Sequence, residues 1–118
     1  MKISALIPAR YDSIRFPGKL MKKLGRKSVI RQTYESVLNS KLFDETCVIT
    51  DSKLIYNHLN KINFNVLYSN TQHDCGTDRI AEMSHKFDSD IIFNIQGDEP
   101  FIDKNGLIEL INVFKNDT

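Results

Sequence analysis

Three short stretches of the sequence concentrate the residues able to do chemistry. IPARYDSIRFPGK, from Ile7 to Lys19, threads three cations, Arg10, Arg15 and Lys19, through a segment with two prolines and one glycine. Pro17 and Gly18 permit a tight turn that exposes backbone, and the three cations can converge on one polyanion if the loop folds back over the strand before it. The GK pair at Gly18 and Lys19 is not a Walker A loop, because no glycine stands five residues earlier and Leu20 follows instead of Ser or Thr. A solvated basic loop is the bland alternative. Its position directly after an apolar run, with prolines that rigidify it, favours phosphate binding.

IQGDEP, from Ile95 to Pro100, ends an apolar run in Gln96 and Gly97 and then sets two carboxylates side by side, Asp98 and Glu99. Hard oxygen ligands of this kind suit magnesium held through one or two carboxylates together with substrate phosphates. Read alone, Gly-Asp before a proline is also ordinary turn chemistry. HDCGTDRIAE, from His73 to Glu82, is the third stretch. Gly76 and Thr77 read as a loop-to-helix junction whose free N–H groups favour an anion or a polar base edge, and Arg79 falls in the first turn, where the helix dipole disfavours a cation. Arg79 is therefore expected to serve something other than the helix. A His73/Cys75 metal pair lacks further ligands, and His58 and His85 read as surface residues of helices. No Ser-His-Asp set and no GxSxG occurs.

These stretches need elements to hold them. Four strand-length apolar runs, Lys2 to Pro8, Glu45 to Thr50, Phe64 to Ser69 and Asp90 to Gln96, alternate with four amphipathic helical patterns. The helices open at Ser28, at Asp51 or Ser52, at Thr77 and at Asp103, each an N-cap type followed by i, i+3, i+4 apolar spacing. Alternating strands and helices predict an α/β, Rossmann-like, doubly wound and mostly parallel sheet with right-handed crossovers. If the first three strands wind outward and the fourth returns beside the first, the strand order is 3-2-1-4. Ligands then bind at the carboxyl ends of the strands where the winding reverses. The loops after the first and fourth strands, 9–19 and 97–100, flank that crevice.

The bulk numbers exclude several classes. At 118 residues the chain is about one domain, and the sequence ends as the fourth helical pattern does, which predicts an open edge at the fourth strand and a chain that is part of something larger. Sixteen basic residues against fifteen acidic ones leave a net charge of +1, so bulk electrostatics predict no nucleic-acid and no membrane partner. Cys47 and Cys75 form no CxxC pair, which argues against a disulfide framework. No apolar stretch reaches the roughly 20 residues of a membrane span, and the opening run is interrupted by Arg10. A cytoplasmic protein is the expectation.

Taken together, IPARYDSIRFPGK, CGTDRIAE and NIQGDEP resemble, in register from the N-terminus to about Pro100, the signature segments of the 3-deoxy-D-manno-octulosonate (Kdo) cytidylyltransferases, or CMP-Kdo synthetases. Cys75 stands where that family usually has serine, Phe16 where it has leucine and Asp78 where it has glutamate. The resemblance implies a nucleotide-diphospho-sugar transferase type of fold, with residues 1–118 as the nucleotide-binding N-terminal half and the C-terminal half absent. It implies an enzyme that transfers CMP from CTP to the anomeric 2-hydroxyl of Kdo, with CTP and Kdo as small-molecule partners, magnesium as cofactor and a homodimer at full length. By the same resemblance Arg10 and Lys19 bind the CTP phosphates with Arg15 supporting them. Backbone around Ala9, Gly76 and Thr77 holds the nucleoside, and Arg79 contacts nucleotide or organises its loop. Gln96 lies near nucleotide and sugar, and Asp98 ligates magnesium, which makes Lys19 and Asp98 the catalytic pair. A sialate-type acceptor, or a catalytically silent CTP-binding chain, are the competing expectations.

Overall fold

β1 (Ile3–Ala9) is buried at all seven positions in the computed structural model, which describes residues 2–10, 19–69, 87–97 and 101–116. Neighbouring side chains of a strand point to opposite sides, so an unbroken buried run means that both faces are covered. The chain is next described at a short 3-10 turn, Lys19–Met21. A two-stranded antiparallel hairpin follows, β2 (Lys23–Leu24) and β3 (Lys27–Ser28). Gly25 opens its two-residue connection at φ 77°, the left-handed value that such a connection asks of its first residue and that glycine adopts without strain.

The helices start where side-chain oxygens can serve their free N–H groups. Ser28 caps α1 (Val29–Ser40), its hydroxyl accepting from the Arg31 N–H at 3.3 Å. Of the two candidates for the next cap it is Ser52 that opens α2 (Lys53–Lys61), accepting from the Ile55 N–H at 3.3 Å. Asp103 opens α3 (Lys104–Asn116), its carboxylate accepting from the Gly106 N–H at 3.1 Å. α2 closes with Asn63 in the left-handed region, its N–H bonded to the Asn60 carbonyl and that of Phe64 to the Leu59 carbonyl. This paired closure satisfies carbonyls that the helix itself cannot. The helical pattern expected from Thr77 lies outside the described residues.

With β4 (Glu45–Thr50), β5 (Val66–Tyr68) and β6 (Ile91–Asn94), β1 forms a parallel sheet of order β5-β4-β1-β6. Numbered as the four apolar runs, that is the expected 3-2-1-4. The register sets Ala9 beside Thr50 and Leu6 beside Asn94. The last two strands are shorter than their apolar runs, although the Ser69 N–H still reaches the Thr50 carbonyl and the Ile95 N–H the Leu6 carbonyl. Among the described residues β6 pairs only with β1 and is the open edge that the sequence implied.

One face of the sheet, through Ala5, Ile7, Ala9, Val48 and Val66, packs on Ile30, Tyr34 and Val37 of α1 and on Ile55 and Leu59 of α2. Each fully buried aliphatic side chain here is worth about 1.5–3 kcal/mol of transfer free energy. α3 reaches the same side through Phe114, whose ring meets Phe93 edge-on at a centroid distance of 6.4 Å. The opposite face, Leu6, Cys47 and Ile49, packs on Leu67, Phe87 and Ile92. Burial pushes the Cys47 thiol up to about 12, with Glu45 adding to the rise, so this cysteine is an inert core residue. Among the described residues no helix is long and apolar enough to cross a membrane.

Candidate functional site

The carboxyl ends of β1 and β6 meet at one place, and Gly97 marks it. A β-carbon added to Gly97 would lie 3.1 Å from Leu20 Cδ1, 3.2 Å from the Pro8 carbonyl oxygen and 3.3 Å from Ile30 Cδ1. A side chain here would be crowded and its neighbours would have to give by a few tenths of an ångström, so the glycine eases the close approach of the two segments. Leu20 belongs to the turn that begins at Lys19 and is itself buried. Pro8 precedes Ala9, the last residue of β1. Gly97, the residue before Asp98, thus lies close to the residue after Lys19 and the residue before Ala9, so the described residues that flank the two loops come together at one point.

α1 fastens that point. Ile30 packs against Gly97, and Thr33 one turn later donates its hydroxyl to the Gly97 carbonyl at 2.7 Å in a buried contact. The hairpin that carries the chain from Lys19 into α1 is tied to the same helix: the Val29 N–H donates to the Lys22 carbonyl at 2.9 Å, and Lys27 Nζ meets the Glu35 carboxylate at 2.7 Å. The Lys27 bond is the main reason that the Glu35 carboxyl sits below its ordinary value, with Arg31 assisting. Pairs this exposed contribute little stability.

The other anticipated site residues divide in two. Ala9 is fully buried at the end of β1 and Arg10 follows it into solvent. Gln96 is exposed and its amide donates to Asn94 Oδ1 at 3.4 Å. Lys19 is described as the first residue of its turn. Arg15, Gly76, Thr77, Arg79 and Asp98 lie outside the described residues, as do Cys75 and Glu99. Among the described residues no group of three potential ligands could hold a metal ion. The carboxylates at 98 and 99 are hard oxygen donors of the kind magnesium takes, and they follow a backbone position at which a β-carbon would be crowded by both flanking segments. As residue types, the two carboxylates match that metal's preference for oxygen donors. An open cleft of about 410 Å³ lies elsewhere, against the outer side of α1 between Gln32, Ser36, Asn39 and Ile102, and it contains none of these residues.

His58 departs from the sequence reading, which placed it on the surface. It is half-buried, and its Nε2 lies 2.7 Å from the hydroxyl of Ser28, the cap of α1. Burial lowers its pKa below the ordinary 6.5, and the charges of Arg31 and Lys23 add to the effect. The folded chain therefore favours neutral imidazole. This contribution to stability is fully present above pH 6.5 and is lost as the pH falls through that value toward the lower folded one, because there the unfolded chain binds the extra proton. His58→Gln is expected to flatten the fall of Tm below about pH 6.5 and leave the curve above it unchanged; a slope identical to that of the parent chain would reject the assignment.

The cytidylyltransferase family pattern matches residues 4–118. A 3-deoxy-manno-octulosonate cytidylyltransferase of Christiangramia forsetii is 52% identical over 116 residues, covering 98% of this chain and 47% of that protein. One of Flavobacterium johnsoniae is 50% identical over 117 residues, covering 99% of this chain and 48% of its own length. The solved structure of a CMP:2-keto-3-deoxy-manno-octonic acid synthetase complexed with CTP superposes with a TM-score of 0.92 at 33% identity, over 99% of this chain and 48% of that one. The chain spans about half the length of the curated relatives it matches.

Proposed function

The chain belongs to the cytidylyltransferase family, and on that premise we propose that residues 1–118 form the nucleotide-binding half of an enzyme that transfers CMP from CTP to Kdo and releases pyrophosphate. The observation that carries the reading is the closeness of Gly97 to both Pro8 and Leu20, each within 3.2 Å of where a β-carbon on Gly97 would stand. It supports the reading because Leu20, just past the first loop, and Gly97, just before the second, lie together near the carboxyl ends of adjacent strands, where the winding of the sheet reverses.

Nucleotidyl transfer needs the sugar hydroxyl held in line with the departing pyrophosphate, and negative charge accumulates on oxygens that cations must neutralise. In this reading Arg10 and Lys19 take the phosphates, with Arg15 beside them, and Lys19 neutralises charge on the leaving group. The backbone of Ala9, Gly76 and Thr77 holds the nucleoside, with Arg79 at the same loop, and Gln96 orients nucleotide and sugar. Asp98 would hold magnesium, which supplies Lewis-acid neutralisation of phosphate charge and lowers the pKa of the attacking hydroxyl. No covalent enzyme intermediate is needed. A soluble cytoplasmic homodimer, making an activated sugar for lipopolysaccharide or capsule, completes the proposal.

The half-length span favours a second reading, in which this chain by itself binds CTP without turning it over. One experiment separates the two: pyrophosphate release from CTP and magnesium with Kdo or a sialic acid as acceptor, run beside a calorimetric titration with CTP. Release with Kdo is the expected result for a protein of the relatives' length. CTP uptake without release by residues 1–118 selects the silent binding chain, release with the sialic acid alone moves the acceptor, and no CTP uptake at either length refutes both readings.

A further inference from the structure

The charge of the chain is unevenly placed. Lys22, Lys23, Arg26, Lys27 and Arg31 put five cations and no carboxylate into the ten residues 22–31, while the other 108 residues hold eleven basic and fifteen acidic ones. A net charge of +1 thus conceals +5 on the β2–β3 hairpin and the first turn of α1 against −4 elsewhere. Glu35 answers two of the five, Lys27 at 2.7 Å and Arg31 at 3.4 Å. Lys22, Lys23 and Arg26 are exposed and form no ion pair among the described residues. The hairpin is located from both ends: Leu20 just before it and Ile30 just after it are the two side chains beside Gly97, near the carboxyl ends of β1 and β6. An extended chain advances at most about 3.6 Å per residue, so the tip at Gly25 lies within about 18 Å of the Leu20 backbone. His58 feels the resulting field: burial is the main reason that its pKa falls, and the charges of Arg31 and Lys23 add to the fall.

We propose that the β2–β3 hairpin steers nucleoside triphosphate to the crevice: Lys22, Lys23 and Arg26 speed the arrival of the polyanion without touching it once it is bound. The inference rests on the functional reading above and adds to it how the nucleotide is captured. Surface clusters of one charge sign raise the association rate of an oppositely charged ligand about 10–1,000-fold. The reach of such a field is the Debye length, about 30 Å at 0.01 M salt and about 8 Å at 0.15 M. At low salt the whole hairpin therefore acts on the crevice, and Lys22, two residues from Leu20 and so within about 7 Å of its backbone, still acts at 0.15 M. No aromatic residue lies between Lys22 and Arg31, so the surface offers no stacking platform for single-stranded nucleic acid. The alternative is a charge run that only keeps the chain soluble. The two differ in where the charge must be: solubility depends on net charge, whereas steering depends on cations at this end of the sheet.

The test compares a hairpin triple, Lys22→Gln with Lys23→Gln and Arg26→Gln, with a control triple of equal net charge, Lys2→Gln with Lys41→Gln and Lys61→Gln. The control positions precede β1 and end or follow α1 and α2, at the amino ends of the strands. Association and dissociation of a ribose-labelled fluorescent CTP are followed by stopped flow, on residues 1–118 and on a protein of the relatives' length. At about 0.01 M salt the hairpin triple should associate about tenfold more slowly than the parent. Its dissociation rate should be unchanged, the gap should close near 1 M salt, where the Debye length is about 3 Å, and the control triple should stay near the parental rate. The pKa of His58, followed by proton NMR at the same low salt, should rise in the hairpin triple toward its ordinary 6.5. If the triple fails to fold, Arg26→Gln at the exposed tip reads the same salt-dependent slowing on a smaller scale. A parental association rate in the hairpin triple, or an equal slowing in both triples, overturns the steering role. So does faster dissociation with unchanged association, which would place these cations on the bound nucleotide. A parent that takes up no CTP refutes the functional reading, and the steering with it, before any variant is made.

Discussion

Lys19→Ala is expected to slow pyrophosphate release from CTP and Kdo about a hundredfold in a protein of the relatives' length, equivalent to about 3 kcal/mol of transition-state stabilisation. The size follows from what the lysine is asked to do. Charge grows on the departing pyrophosphate, and a cation fixed beforehand neutralises it without having to reorganise. The backbone at residue 19 opens the turn whose next residue, Leu20, is buried and close to Gly97. Because the interaction strengthens as charge develops, kcat should fall more than the KM for CTP rises. Lys19→Arg keeps the charge but not the compact ammonium geometry and should recover only part of the rate. Turnover at the parental rate in Lys19→Ala would remove this residue from the mechanism.

How much of this was readable beforehand depended on how strongly each residue's type constrains its surroundings. β1 could be read as doubly covered because Ile3 to Ala9 offers no polar alternation beyond Ser4, and Ser4 is buried against Ser89. Ser28, Ser52 and Asp103 were legible as caps because an oxygen one residue ahead of an apolar period has one obvious use. The β2–β3 hairpin was not legible, since two-residue strands are too short to show a period and KKLGRK reads as a solvated charge run. Leu20 read only as the residue that spoils a Walker motif, yet it anchors the turn after the cationic loop. Thr33 and His58 were missed for a common reason: a polar residue inside a helical pattern carries no local sign of a partner many residues away. The resemblance supplied the roles of Arg15, Gly76, Thr77, Arg79 and Asp98, and those roles stand as proposals.

The second large effect is steric. Gly97→Val is expected to cost about 1–3 kcal/mol of stability through overpacking and, in a protein of the relatives' length, to lower turnover at least about tenfold, since a displacement on the order of 1 Å in reacting groups can cost a hundredfold. Gly97→Ala tests the same contact gently, because its single added carbon would sit 3.1–3.3 Å from three neighbours. Two of those neighbours are ends of side chains, Leu20 and Ile30, which can give by a few tenths of an ångström. The third is the Pro8 carbonyl, backbone of β1 in register with Ile49 of β4, which gives less readily than a side-chain end. Strain is therefore relieved by moving β6's end away from β1, which also lengthens the Thr33 bond to the Gly97 carbonyl. Backbone freedom is not at issue, because among the described glycines it is Gly25 that has a positive φ. The effect should accordingly grow with side-chain volume from Ala to Val. If turnover and Tm are both unchanged in Gly97→Val, the strand ends are not closed on each other at this point, and the meeting of the residues that flank the two loops is lost with them.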